Sequence, residues 1–271
     1  MSNSIRVAVC GAAGRMGREV VRAVAEASDL ILVGAVDQVE VGRDAGEVAQ
    51  GKPLGISIQS NLAEVLSTIR PQVLVDFTEP AAALANIQTA FAHGVAPVVG
   101  TTGLTEADLA QVALWVRETG VGAVIAPNFA LGAVLMMQFA QQAARYLPDV
   151  EIIELHHERK LDAPSGTALL TAGKIAQART AAGLAPVPAP EGAFERTPGA
   201  RGASAHGVPI HSVRLPGLVA HQEVLFGGPG QVLSIRHDST DRRCFMPGVL
   251  LAIRKVIGRK DLVLGLENLL D

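Results

Sequence analysis

Short runs rich in valine, isoleucine and leucine at residues 5–10, 30–36, 73–77, 96–99 and 121–125 alternate with helical segments such as 18–27 and 81–93. Strands that alternate with helices make parallel sheets covered on both faces, so this rhythm confines the first half to an α/β layer fold. After Asn128 the rhythm changes. A helix is expected over about 131–146, a strand over 150–157 and a helix over 166–179. A Pro/Gly-rich stretch runs through Gly202, and strand-like runs follow at 210–214, 221–226 and 231–237. That order reads as a second, α+β unit with a mixed sheet. The closing segments 244–257 and 262–270 read as helices that return to the first unit, which sets the expected division at 1–129 with 241–271, and 130–240.

The first strand runs into Cys10-Gly11-Ala12-Ala13-Gly14-Arg15-Met16-Gly17, three glycines spaced G-x-x-G-x-x-G where strand becomes helix. Such a turn is tight, lets a pyrophosphate approach the backbone closely, and packs the helix tightly on the sheet. Ala13 stands where the strict form has glycine, and glycine-rich turns also arise for packing alone. Asp37, twenty residues past Gly17 at the end of the second strand, strengthens the case. An acid there accepts hydrogen bonds from ribose hydroxyls, so the first unit is read as a Rossmann-type dinucleotide-binding domain. Asp37 would repel a 2′-phosphate and so favours NADH, a preference that Arg15 and Arg43 would soften. Two further loops, Asp76-Phe77-Thr78 and Gly100-Thr101-Thr102-Gly103, follow strands on the same edge, where open parallel sheets hold their ligands. Ala126-Pro127-Asn128-Phe129 closes the first unit and is a candidate for both hinge and cofactor edge.

The densest chemistry lies at Glu154-Leu-His156-His157-Glu-Arg-Lys160-Leu-Asp-Ala-Pro-Ser165-Gly166-Thr167-Ala168. Pro164 to Thr167 reads as a turn feeding a helix capped by Ser165 or a neighbour, whose first turn is expected to aim the Gly166 and Thr167 amides at an anion. Upstream the chain is β-rich, so His156 and His157 are expected on opposite faces of a strand end, ill placed to grip one metal. A buried histidine is usually a core residue, and a Ser-Gly-Thr before a helix is usually only a cap. A cation, two imidazoles and a helix start together point instead to anionic-substrate chemistry.

Other classes are disfavoured. A net charge of -3 with aromatics at 3% provides neither a basic stripe nor stacking platforms for nucleic acid. No apolar stretch approaches the ~18 residues of a membrane span, and the N-terminus lacks a signal-peptide pattern, so no membrane partner and a cytoplasmic location are expected. Cys10 and Cys244 stand far apart and read as reduced thiols, with no metal site.

The motifs Gly11 to Gly17, Asp76 to Thr78, Gly100 to Gly103, Ala126 to Phe129 and, above all, Glu154 to Ala168 resemble the 4-hydroxy-tetrahydrodipicolinate (dihydrodipicolinate) reductase family. The resemblance spans nearly the whole chain and continues through 210–214, His221-Gln-Glu223 and 237–242. It implies NADPH- or NADH-dependent reduction of a cyclic dicarboxylate in lysine and diaminopimelate biosynthesis. It also implies that His156 donates a proton, that Lys160 is essential, and that His157, Ser165, Gly166 and Thr167 hold substrate carboxylates. Cofactor contacts are implied at Gly11, Ala12, Gly14, Arg15, Met16, Gly17, Asp37, Phe77, Thr78, Gly100, Thr102, Ala126, Asn128 and Phe129. The second unit, 130–240, becomes a substrate-binding and tetramerisation domain with an apolar sheet face, and the protein a homotetramer. Gln38, Leu215-Pro216 and Glu79 depart from the family pattern; Gln38 stands where many members carry arginine for the NADPH phosphate. The rival readings are another two-domain nicotinamide oxidoreductase of a small acid and a non-enzymatic nucleotide-sensing module.

Overall fold

The structure, a computed structural model, describes residues 4–184 and 191–270 and divides into units 1–131 with 242–271, and 132–241. Part of the Pro/Gly-rich stretch, 185–190, lies outside the described residues.

In the first unit, β1 (Ile5–Cys10), α1 (Arg15–Glu26), β2 (Leu30–Val36), α2 (Ala45–Gln50), β3 (Ile58–Gln59) and α3 (Leu62–Ile69) form one half. The chain continues through β4 (Val73–Asp76), α4 (Pro80–Ala92), β5 (Ala96–Val99), α5 (Glu106–Thr119) and β6 (Ala123–Ile125). The second unit contains α6 (Leu131–Ala143), which begins at the boundary, then β7 (Asp149–His156), α7 (Gly166–Ala181), β8 (Ala203–Ala205), β9 (Val208–Arg214), β10 (Ala220–Gly228) and β11 (Gln231–Ser239). The chain returns to the first unit with α8 (Met246–Val256) and β12 (Leu262–Leu264).

The seven strands of the first sheet run parallel in the order β12-β6-β5-β4-β1-β2-β3. Their valine-rich centres are buried, as a sheet covered on both faces requires: β4, β5 and β6 are buried at every residue. Strand order reverses between β1 and β4, whose last residues Cys10 and Asp76 pair directly. Such a reversal opens a crevice at the carboxyl ends of the strands. The expected helix over 262–270 is corrected: Leu262–Leu264 is a strand that extends the sheet beside β6, followed by a single 3-10 turn. Three apolar residues after a glycine turn are too few for a helix but enough to pair with an exposed strand edge.

The second sheet has five strands in the order β11-β10-β7-β9-β8, mixed because only β7 and β9 run parallel. On β7 the even-numbered residues Val150, Ile152 and Glu154 are buried, while Glu151, Ile153 and Leu155 face the other way and stay half-exposed. Helix α7 covers the even face, where Gln222 Nε2 donates to Thr171 Oγ1 at 2.8 Å. The opposite face is mixed, not the apolar surface the sequence suggests: Ile153, Leu155 and Leu225 share it with ion pairs of Glu151 to Arg201 and Arg236 to Glu223. Alternation along a strand reports which residues face away from the core, but not that cross-strand partners pair their charges.

Candidate active site

In the first unit the turn between β1 and α1 is closed by its own backbone. Gly11 and Ala12 N–H donate to Val36 O at 2.9 and 3.2 Å, and Gly14 N–H to Gly11 O at 3.0 Å. Gly11 has φ +74°, and a Cβ on it would lie 2.9 Å from Phe77 O; a Cβ on Gly17 would lie 1.9 Å from Gly11 O. Only glycine permits this approach of helix to turn. Side chains cap α2, α3, α5 and α7, namely Asp44, Asn61, Thr105 and Ser165, but α1 starts at Gly14 with no capping side chain. The Arg15, Met16 and Gly17 amides therefore have no partner among the described residues, and with the helix dipole they make this end able to receive an anion.

Asp37 closes the rim. Its Oδ2 accepts from Ala13 N–H at 2.9 Å and its Oδ1 from Gln38 and Val39 N–H at 2.7 and 3.1 Å. Oδ1 is thereby saturated while Oδ2 keeps one acceptor site, so the acid both pins the turn and remains able to accept a further hydroxyl. Arg43 pairs with Glu40 at 2.7 Å on the exposed surface. On the other flank, buried Asp76 accepts from Thr78 N–H and Oγ1, Thr101 Oγ1 and Asn86 Nδ2, which fixes the 77–78 and 100–103 loops to one carboxylate. A Cβ on Gly100 would lie 2.0 Å from the Phe77 ring, whose centroid is 5.8 Å from that of Phe129. Ala12, Gly17, Ala126 and Phe129 are buried beneath this surface; Arg15 and Thr102 are exposed, and Met16, Asp37, Phe77, Thr78, Gly100 and Asn128 are half-buried. The residues present thus fit a nicotinamide dinucleotide: an uncapped helix start, an acid just past the end of the neighbouring strand β2, and a pair of aromatic rings. Burial, with Asp76 and then Asp37 adding, pushes the Cys10 thiol well up, so it stays neutral beneath the crevice.

In the second unit the organising group is Glu154, whose carboxylate is fully buried. His156 Nδ1 lies 2.5 Å from its Oε2, Arg214 donates Nη1 to Oε2 at 2.8 Å and Nη2 to Oε1 at 2.7 Å, and Ser165 N–H donates to Oε1 at 3.3 Å. Burial pushes this carboxyl up, but the bonds from His156, Arg214 and Ser212 outweigh it and hold it down at about 2. Register explains the meeting: Glu154 and His156 are two apart on one face of β7, and Arg214 pairs opposite His156 on β9. Arg214 Nη2 also donates to Asp162 O at 2.8 Å, anchoring the 157–164 loop. In that loop Lys160 Nζ bonds both oxygens of Asp162, at 2.7 and 2.9 Å. Ser165 Oγ caps α7 by accepting from Ala168 N–H, and a Cβ on Gly166 would meet nothing within 4 Å. Thr167 follows at the second helical position.

The structure therefore links His156, Lys160 and Ser165 through Glu154, Arg214 and Asp162, three residues that sequence reasoning did not single out. A carboxylate at an even position in a β-rich run, two before a histidine, is the signal that points to Glu154. His157 lies past the end of β7 and its Nδ1 is buried with no partner among the described residues. A cavity of about 1110 Å³ in the same unit, lined by Glu151, Arg179, Phe194 and Arg201 among others, takes no residue from this cluster. Among the described residues no group of three or more His, Cys, Asp or Glu is placed to hold a metal, and no helix is long and apolar enough to cross a membrane. Among the described residues neither Cys10 nor Cys244 is in a disulfide.

A reversing parallel sheet with an uncapped glycine turn in one unit, and a histidine–carboxylate pair with an open helix start in the other, define the class of two-unit nicotinamide-dinucleotide oxidoreductases. Sequence comparison makes the family specific. Residues 5–129 match the dihydrodipicolinate reductase N-terminus and residues 132–270 its C-terminus. The 4-hydroxy-tetrahydrodipicolinate reductase of Moorella thermoacetica is 55% identical over 100% of both chains, and that of Desulfitobacterium hafniense 53% identical over 98% of this chain and 99% of its own. The solved dihydrodipicolinate reductase of Paenisporosarcina sp. TG-14, with dipicolinate bound, superposes with a TM-score of 0.88 at 46% identity, covering 98% of this chain and 100% of that one. The chain belongs to the dihydrodipicolinate reductase family and is an NAD(P)H-dependent oxidoreductase of lysine and diaminopimelate biosynthesis.

Proposed function

We propose that the protein reduces 4-hydroxy-tetrahydrodipicolinate to tetrahydrodipicolinate, with His156 as proton donor and Lys160 with the start of α7 as the carboxylate receptor. The observation that carries this reading is the bridge at Glu154: one buried carboxylate holds the His156 ring by one oxygen and the Ser165 N–H, at the mouth of α7, by the other. From substrate to product, one hydride and one proton enter and one water leaves. The bound nicotinamide supplies the hydride.

The chain's own groups do the rest. The open approach at Gly166 and the dipole of α7 receive one carboxylate, as a helix start does for anions generally. Lys160 exchanges Asp162 for a second carboxylate, which neutralises the dianion and fixes the ring's position. His156 gives up the proton on Nε2, the nitrogen that bonds nothing among the described residues, and takes another from water afterwards. The roles of His157 and of Thr167 follow from their positions beside His156 and Gly166. In the first unit the Arg15, Met16 and Gly17 amides hold the diphosphate and Asp37 the ribose. The half-exposed sheet face of β7, β9, β10 and β11 is the surface through which four copies assemble, its apolar residues buried between subunits and its charged residues at their margins. A cytoplasmic location suits this biosynthetic role.

The test is spectrophotometric. The condensation product of aspartate semialdehyde and pyruvate, mixed with NADH or NADPH, should cause loss of reduced-nicotinamide absorbance only with the protein present. A planar pyridine dicarboxylate should compete with substrate. Turnover without such competition would overturn the proposed carboxylate receptor, and no turnover would overturn the substrate.

A further inference from the structure

We infer that Glu154, clamped by Arg214, is the positioning residue that fixes His156 as its Nδ1–H tautomer and so presents Nε2 for proton transfer. The inference rests on the proposed role of His156 and goes beyond it in assigning how the ring is held.

Carboxylates are almost never fully buried unless paired, and Glu154 has no exposed side-chain surface. Its two oxygens are ringed by both Nη groups of Arg214, the Ser165 N–H, the Ser212 side chain and the His156 ring. An ionised carboxylate only accepts, so the 2.5 Å contact requires the hydrogen to reside on His156 Nδ1. The bonds from His156, Arg214 and Ser212 keep the carboxylate ionised, and that in turn fixes the tautomer. Nδ1 is thereby committed, and Nε2 is the nitrogen left to gain and lose a proton. Once Nε2 has given its proton away, the neutral ring keeps the Nδ1–H bond and does not have to turn before it is recharged. The same guanidinium holds Asp162 O, so the orientation of His156 and the path of the loop carrying Lys160 depend on one ion pair. A carboxylate serving only as a structural counter-ion for Arg214 would need neither the second bond from Ser165 nor the histidine.

The tautomer is read directly by long-range 1H–15N spectra of the holoenzyme labelled at histidine, recorded at alkaline pH where the imidazole is neutral. Wild type should show His156 as the Nδ1–H form. In E154Q/R214M, which removes both buried charges together, the spectrum should shift to a mixture or to the Nε2–H form. In the same variant kcat should fall about 100-fold or more, within the range general acids contribute, with the KM for coenzyme unchanged. E154D, which keeps a carboxylate, should recover most of that loss. H156A should lose as much, and H156A/E154Q no more than H156A alone. A wild-type spectrum in the Nε2–H form overturns the inference even if no variant folds. A folded E154Q/R214M with kcat within about 2-fold of wild type overturns it while H156A remains dead. An active H156A instead overturns the proton-donor reading on which it rests.

Discussion

Arg214 holds Glu154 by two parallel bonds, Nη1 to Oε2 at 2.8 Å and Nη2 to Oε1 at 2.7 Å, although sixty residues separate them along the chain. Breaking one side of a buried pair leaves a stranded charge, which costs more than removing both. Arg214→Ala should therefore destabilise the protein by about 3–5 kcal/mol, whereas E154Q/R214M should cost much less. Denaturant midpoints of the three proteins decide this; equal losses for the single and double variants would show that the charge is not stranded.

The same carboxylate should govern acid stability. Its ordinary value of 4.5 falls to about 2 in the folded protein, a depressed pKa, so its contribution is fully present above pH 4.5 and is lost as pH falls through about 2. The difference corresponds to about 3 kcal/mol at neutral pH. Unfolding free energy measured from pH 5 to 2 should decline with a proton uptake that E154Q/R214M lacks. If wild type and the variant keep parallel acid limbs, Glu154 does not supply the linked proton.

Coenzyme choice should follow Asp37 and Gln38. Gln38 Nε2 donates to Ser60 O at 3.1 Å and offers no charge to a 2′-phosphate, while Arg43 is occupied by Glu40. NADH should be preferred. Gln38→Arg should raise kcat/KM for NADPH about 10-fold, the effect of one charge-assisted contact of about 1.4 kcal/mol, with little change for NADH. Steady-state kinetics with both coenzymes at low salt are the measurement; a wild type that prefers NADPH would contradict the assignment.

Lys160 is tied to Asp162 before substrate arrives, so the two side chains should have opposite effects. Lys160→Ala should lower kcat by about 10²–10³-fold, as loss of one transition-state contact does, while NADH still binds. Asp162→Asn should lower the KM for substrate a few-fold, because the ammonium no longer has to leave a carboxylate. A higher KM in Asp162→Asn would mean that Asp162 positions Lys160 for substrate instead of competing with it.

Much of this was legible in the sequence because it is local. The strands around 5–10, 30–36 and 96–99 are continuous apolar runs, the glycine turn carries its own backbone requirement, and Ser165 announces its helix. Distant pairings were not legible. That Leu262–Leu264 is a strand is decided by the open edge of β6, not by its own three residues. Arg214 meets Glu154 through the parallel register of β7 and β9, Arg236 meets Glu223 through the antiparallel register of β10 and β11, and Arg201 reaches Glu151 from the turn before β8. Asp37 was expected to face ribose, yet its bonds to three amides come from a turn twenty-four residues upstream and from the chain just after it. The Lys160 and Asp162 contact is local but ambiguous, because a lysine two residues before an aspartate can form the same ion pair in a solvated loop.

Gly166 offers the cleanest separation of binding from folding. It is exposed at the first helical position, and an added Cβ would meet nothing within 4 Å, in contrast to Gly17, where it would strike Gly11 O. Alanine at such a site costs the fold nothing and tends to stabilise it by about 0.4–1 kcal/mol by restricting the unfolded chain. Its methyl, and still more the branched side chain of valine, would occupy the space through which a carboxylate reaches the start of α7. Gly166→Ala should thus unfold at the wild-type temperature or above while its KM for substrate rises several-fold. Gly166→Val should raise KM further, and coenzyme binding should be unchanged in both. Thermal unfolding and substrate titration on the same samples separate the two effects. A Gly166→Val enzyme with wild-type KM would show that the dicarboxylate does not sit at this helix start.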